Sequence, residues 1–329
     1  MTHLRPPCAA PSVRAAAAAA ALAARVAAVS AVAAVTAFAG AAHAQPAATA
    51  EAWLSGLYDE VAADLVAGRP LVVEVHVPLC DNDVLRCGGG RLGDGDDPGG
   101  NLYWATSGGF RGWFGRRGSG WKQVHEAANP EPDVLELRVW RRWVAPAGAL
   151  RARGVRRRFP VFVVAHAWRG ESIRAAMTAY AHDLFGGRGR RDDVRRIDLA
   201  DGTVLEAGGA ARLVAFVGHN GWMGEADFHW PEATAGAPRR GTIAVACLTE
   251  DYLVPAVPAA ERVPLLLTRS LLFAGAHAFE GAVSAFARGA DMADIREAAA
   301  RSYATGEGKP LARVRAAFTN PADRRWRNR

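Results

Sequence analysis

Two short apolar runs do most to limit what this chain can fold into. One is Arg212-Leu-Val-Ala-Phe-Val-Gly-His219-Asn-Gly221 and the other is Thr242-Ile-Ala-Val-Ala-Cys247. Each is too short for a buried helix, rich in branched side chains and bounded by turn formers, which is the pattern of a strand covered on both faces. Similar runs stand at 71–77, 159–165 and 265–268. Segments 51–67, 171–185, 270–288, 291–303 and 310–318 space their apolar residues as helices do. Strands alternating with such helices predict an α/β fold with a mainly parallel sheet. If the two runs are neighbours in that sheet, His219 and Cys247 leave it together at the carboxyl edge, where open α/β sheets hold their ligands.

The first 44 residues do not belong to that pattern. Arg5 and Arg14 give a positive start, 26–40 is an apolar run rich in Ala and Val, and Ala42-His43-Ala44 is a small-x-small cleavage site. This predicts a secretory signal peptide over 1–44 and a secreted or periplasmic mature chain. The remaining 285 residues, 45–329, suffice for one domain, with a Gly-, Asp- and aromatic-rich insertion at 80–121. The signal carries three arginines and no acid, so the formal charge of +7 falls to +4 without it. That weak charge gives no reason to expect a nucleic-acid partner. No second apolar run predicts a membrane contact after cleavage.

Cys8 leaves with the signal. In an oxidising compartment Cys80 and Cys87 are expected to close a local disulfide, which makes Cys247 the odd cysteine. It reads either as a small core hydrophobe or as a reactive thiol. In the insertion, Asp94, Asp96 and Asp97 are oxygen ligands on a glycine-rich loop, suited to calcium or to ordinary Asx turns. If this loop lies at the carboxyl edge of the 71–77 strand, Asp81 and Asp83 would be placed to select a basic substrate group. Tyr103, Trp104 and, beyond the histidine, Trp222 read either as a substrate wall or as loop packing. Zinc-ligand spacing, a phosphate-binding loop and a serine elbow are all missing from the sequence.

An apolar block ending in His before a Gly, followed by a block ending in Ala-Cys, resembles the layout of caspase-like cysteine peptidases, a group that includes caspases, legumains, gingipains, separases and clostripains. Here it is carried by 213–221 and by 243–247, with Asn220 inserted between His219 and Gly221. Segments 75–82, 93–98, 101–104, 218–223 and 246–247 also resemble a family of bacterial secreted proteins of uncharacterised activity. The first resemblance implies a caspase-like three-layer fold and a thiol-dependent peptidase or amidohydrolase acting on a peptide or protein. In it Cys247 would be the nucleophile and His219 the proton donor to the leaving amine, with no required cofactor. Gly218, Asn220 and Gly221 shape the turn, and their backbone N–H groups, with that of Cys247, are candidate oxyanion donors. Two other readings stay open: a non-catalytic secreted binding module of the same fold, and a calcium-binding surface protein.

Overall fold

The computed structural model describes residues 45–186, 194–232 and 236–326. The expected signal peptide lies outside them. Its centre is a mixed eight-stranded sheet, in the order β10-β9-β8-β7-β1-β4-β3-β2. Five of its six inner strands run parallel: β1 (Leu71–Pro78), β4 (Phe159–Trp168), β7 (Leu213–Val217), β8 (Arg240–Val245) and β9 (Arg262–Thr268). In β1, β7, β8 and β9 every residue is buried, as expected of strands with both faces covered.

One layer packs on Val73, Val75, Ala215, Val217, Ile243 and Val245. It comprises helices α1 (Gln45–Val66), α6 (Ala276–Ala287) and α7 (Met292–Gly306). In α1, Leu54, Leu57, Tyr58 and Val61 recur at helical spacing and are buried, and Gly68 at φ 83° ends the element before Pro70. The Tyr58 hydroxyl donates to the carbonyls of Phe286 (3.1 Å) and Ala290 (2.7 Å), joining this helix to the end of α6.

The opposite layer is α4 (Ile173–Phe185), which lays Met177, Tyr180 and Leu184 on Val214, Phe216 and Ala244. Beside it lies a two-stranded antiparallel hairpin, β5 (Val194–Asp198) with β6 (Val204–Gly208). The hairpin leaves no strand pattern in the sequence, because β5 is five residues, three of them charged, and is fixed by ion pairs to the sheet rather than by its own alternation.

Between β1 and β4 the chain carries the disulfide loop, a short helix α2 (Phe110–Gly115), the strands β2 (Lys122–Glu131) and β3 (Val134–Val144), and α3 (Gly148–Ala152). β3 lies antiparallel to β4, so the chain after the 80–121 insertion extends the main sheet. β2 forms one edge, with register shifts at Gln123/His125 and Ala128/Glu131 and Pro130 near its end. The other edge is β10 (Phe318–Thr319), two buried residues antiparallel to β9. A short helix α5 (Thr249–Leu253) follows β8, and α8 (Leu311–Val314) precedes β10. The helix expected from Ser270 begins only at Ala276. Among the described residues no helix is long and apolar enough to cross a membrane.

Candidate functional site

Register brings His219 and Cys247 to one place. In the parallel pair β7–β8, Val217 is level with Val245, and each candidate residue stands two positions further on. The Gly218 N–H donates to the Val245 carbonyl at 3.2 Å, continuing the ladder beyond the assigned strands. Adjacent strands are about 4.8 Å apart, so both residues leave the sheet as neighbours at its carboxyl edge. By alternation both follow the face of Val217 and Val245. The Asn220 amide then donates to the Cys247 carbonyl and its oxygen accepts from the Trp222 N–H (3.0 Å). One side chain thus ties the two post-strand turns together.

The thiol sits at an abrupt change of direction. Leu248, which follows it, has φ 53° and ψ 35°, the left-handed region that branched and bulky residues avoid. Its cost is about 1 kcal/mol. The surroundings hold it there. The Thr249 hydroxyl donates to the Ala244 carbonyl (3.0 Å), the Thr268 N–H donates to Thr249 Oγ1 (2.9 Å), and Thr268 Oγ1 donates to the Ala246 carbonyl. All of this is buried between β8 and β9. Cys247 itself is reduced and partly exposed, and its thiol faces the Leu272 carbonyl at 3.8 Å.

His219 is held by Tyr103. Its Nδ1 lies 3.2 Å from the Tyr103 hydroxyl, whose ring meets the imidazole edge-on at 5.2 Å and stacks on Phe273. Burial pushes the Tyr103 hydroxyl pKa up, and the nearby Cys247 adds to this, so Tyr103 remains a donor. With the tyrosine donating, the imidazole proton belongs on Nε2. That atom is buried without a hydrogen-bond partner, and the imidazole has a ring nitrogen within 4.8 Å of the Cys80 and Cys87 sulfurs. Burial lowers the His219 pKa, against an upward pull from the Leu85 backbone and from Asp81. A neutral imidazole ready to accept a proton is the result. Cys80 and Cys87 are bonded to one another, with Cα atoms 6.0 Å apart, so their sulfurs form a wall and are not thiolate ligands.

The structure sorts the remaining sequence candidates. Gly218 has given its N–H to Val245, which removes it as an oxyanion donor; a Cβ there would meet Pro78 at 2.9 Å. Gly221 is needed for packing, since a Cβ would lie 2.3 Å from Met177 Sδ on α4. Trp104 and Trp222 are core side chains. Trp104 is fully buried and donates to Glu136 (2.7 Å), while Trp222 packs among Phe216, Tyr180 and Trp230. Tyr103 is 5% exposed and orients His219 instead of facing solvent. Asp81 is partly exposed and accepts from the Asp83 N–H (2.9 Å). Asp94 accepts from the Asp96 N–H (3.0 Å), Asp96 pairs with Arg169, and Asp97 pairs with Arg91 (2.6 Å). These carboxylates make Asx turns and ion pairs. The sequence offers no signal for Leu248, Thr249, Thr268 or Leu272, because each acts through backbone position.

A second polar cluster lies on the other face of the sheet. Glu74 on β1 meets Arg195 Nη1 (2.5 Å), the Gly208 N–H (3.0 Å) and His166 Nε2 (2.6 Å). His76 Nε2 lies 3.0 Å from Asp183 Oδ2, and Trp168 Nε1 donates to His76 Nδ1 at 3.2 Å. Ligand atoms of Glu74, His76 and Asp183 come within 4.8 Å of one another, close enough to suggest a metal. The tautomer argues otherwise. An indole N–H only donates, so His76 Nδ1 carries no proton and Nε2–H points at Asp183. Nε2 then has no lone pair for a metal, and Arg195 already balances Glu74. The cluster is a buried ion network that fastens the β5–β6 hairpin to β1 and β4. His166 lies inside β4, level with His76 on β1.

Comparison of the chain with protein families, curated proteins and solved structures finds no match.

Proposed function

We propose that this protein is a thiol-dependent hydrolase of peptide or amide bonds, with Cys247 as nucleophile and His219 as its proton partner, on a caspase-like fold. The observation that carries this reading is the shared register of the two residues beyond the neighbouring strands β7 and β8. Their chain order, the parallel neighbours β4 and β1 on one side and β9 on the other, and the antiparallel β10 support the resemblance to caspase-like peptidases. So does the strained Leu248 backbone, because strain of this kind collects at reacting groups.

In the reaction the Cys247 thiol gives its proton to His219 Nδ1, displacing the Tyr103 hydroxyl that holds that nitrogen at rest. The thiolate attacks the carbonyl carbon. The oxyanion takes the Cys247 backbone N–H as donor, and the imidazolium returns the proton to the leaving amine as the C–N bond breaks. Water then hydrolyses the thioester.

One observation favours a second reading. The thiol faces the Leu272 carbonyl and the imidazole faces Tyr103, so the two do not hydrogen-bond to each other. A binding protein with an idle cysteine has that geometry too. The rate of Cys247 alkylation by iodoacetamide against pH, in the folded protein and in His219→Ala, separates the readings. The hydrolase reading expects a midpoint well below the ordinary thiol value of about 8.5, shifted upward in the variant. An ordinary midpoint indifferent to His219 would leave the binding reading in place.

A further inference from the structure

The hydrolytic reaction uses only Nδ1 of His219. The same imidazole also stands beside the Cys80–Cys87 disulfide, with a ring nitrogen within 4.8 Å of both sulfurs. Because the Tyr103 hydroxyl holds Nδ1, the proton on Nε2 is the donor left for a sulfur, and Nε2 is buried without a hydrogen-bond partner. The Leu85 backbone, inside the disulfide loop, pulls the imidazole pKa up but makes no hydrogen bond with Nε2. A buried donor without an acceptor is costly. A neutral sulfur accepts hydrogen bonds weakly, whereas an ionised acceptor takes them strongly. Opening the disulfide to a thiolate therefore supplies what Nε2–H lacks, and this stabilises the reduced pair relative to the bond.

The two cysteines differ in access. Cys80 is fully buried and its backbone is clamped: its N–H donates to Asn101 Oδ1 (3.0 Å) and its carbonyl accepts from Asn101 Nδ2 (2.8 Å). A thiolate left there is out of water, so one hydrogen-bond donor decides whether it forms. Cys87 is partly exposed and is the one a second molecule can reach. The charges around it are mixed, with exposed Arg86 beside it and Asp81 and Asp83 on the same loop, so access and not net charge selects what attacks. The loop also has a closure of its own. Asn82 donates to the Gly88 carbonyl (2.7 Å) and accepts from the N–H groups of Cys87 (3.0 Å) and Gly88 (3.3 Å), which spans the same turn as the disulfide.

We propose that the Cys80–Cys87 disulfide is redox-active and oxidises thiols, with Cys87 as the sulfur attacked, Cys80 as the leaving sulfur and His219 Nε2–H as the donor that holds the leaving thiolate. A substrate thiol gives its proton to solvent and attacks Cys87 Sγ. The S–S bond breaks, its electron pair goes to Cys80 Sγ, and a mixed disulfide forms. A second substrate thiolate attacks the substrate sulfur of that mixed disulfide and releases Cys87 as a thiolate. Two electrons have then passed from the substrate to the two cysteines, and a substrate disulfide has formed. This activity goes beyond the hydrolase reading and needs no Cys247.

The test follows loss of the bond in the Cys247→Ala protein at pH 7, mixed with millimolar reduced glutathione or with an unfolded peptide carrying one cysteine. Samples are quenched in acid, alkylated and read by mass spectrometry of the segment that holds both cysteines. At least one of the thiols should open the bond about tenfold faster than it exchanges with oxidised glutathione, and the faster of the two identifies the substrate as a small or a polypeptide thiol. His219→Phe keeps the bulk without the donor. It should slow opening about tenfold and shift the equilibrium towards the disulfide by about the same factor, the worth of one hydrogen bond to a charged group. If that variant does not fold, Tyr103→Phe serves in its place: it lets the proton leave Nε2 part of the time and should slow opening about twofold. Circular dichroism should show the reduced protein still folded. Opening no faster than exchange with oxidised glutathione, or indifferent to these substitutions, overturns the proposal. So does loss of the fold on reduction, which would mark the bond as structural. An ordinary Cys247 thiol would sink the hydrolase reading and leave this one standing, and an inert disulfide would do the reverse.

Discussion

Replacing Glu74 by Gln should destabilise the protein by about 3 kcal/mol at pH 7. The carboxylate is fully buried, and burial alone would raise its pKa. The nearby His166 imidazole, charged once acid protonates it, and the Arg195 guanidinium win, holding it down at about 2. The unfolded chain restores the ordinary carboxylate value of 4.5. A folded pKa depressed by this much is worth about 3 kcal/mol, at about 1.4 kcal/mol per unit. The sign follows from the depression: the contribution is complete above pH 4.5 and is lost as pH falls through 2. Glutamine keeps the shape and still accepts from the Gly208 N–H, but leaves the Arg195 guanidinium facing a neutral group. For a domain of this size the loss corresponds to roughly 6–12 °C in Tm. Urea unfolding at pH 7 and pH 3 is the assay, with hydrogen exchange of β5 and β6 as a local readout. The difference from the parent protein should shrink to about half at pH 3. Adding Arg195→Met should cost less than the two single changes together, because it removes the cation that has lost its buried partner and keeps only the half-exposed Glu131. A Gln variant within about 0.5 kcal/mol of the parent at pH 7, or a difference that grows in acid, would refute the argument.

Two further outcomes follow from the same chemistry. Burial lowers the pKa of His166, His219 and His277, so each binds its proton more readily when unfolded; Tm should hold above the ordinary histidine pKa of about 6.5 and fall as pH drops below it, and a Tm that rises between pH 7 and 5 would show the signs are wrong. Tyr103→Phe keeps the contacts with Phe273 and the His219 ring but removes the donor to Nδ1. It should cost about 1–2 kcal/mol in urea unfolding and mix the His219 tautomers in a nitrogen-15 NMR spectrum, whereas a single unchanged tautomer would mean that Tyr103 does not orient the ring.

The parallel sheet was legible because its inner strands are continuous apolar runs. That is what burial on both faces requires, and 71–77, 159–165 and 242–247 contain little else. The edge partnership of His219 and Cys247 was legible for the same reason, since a parallel sheet fixes which ends meet. What stayed hidden depends on partners distant in sequence. β5 contains Val-Arg-Arg-Ile-Asp and reads as a solvated loop until Glu74, 121 residues away from Arg195, supplies its counter-charge. Tyr103, Trp104 and Trp222 are alike in composition, yet Tyr103 orients the imidazole while the tryptophans fill the core. Their difference is set by which ring reaches the sheet edge, and spacing along the chain does not encode that. Leu248 gives no warning at all, because its unusual backbone is imposed by the Thr249–Thr268 hydrogen bonds rather than by its own preference.

The two margins of the sheet bear on how the protein behaves at high concentration. A long, flat, apolar outer strand is a template on which another chain can add itself. Here β2 breaks its register twice, carries Pro130 and sets Lys122, Glu126 and Glu131 along its length, while β10 stops after two residues. Just beyond it, the Asn320 amide is committed to the carbonyls of Leu265 and Met292. Neither margin presents the uninterrupted row of backbone groups that strand addition needs. Fibrous or edge-to-edge association of the native protein is therefore opposed by its own outermost strands, and the apolar inner runs become adhesive only when the sheet is opened.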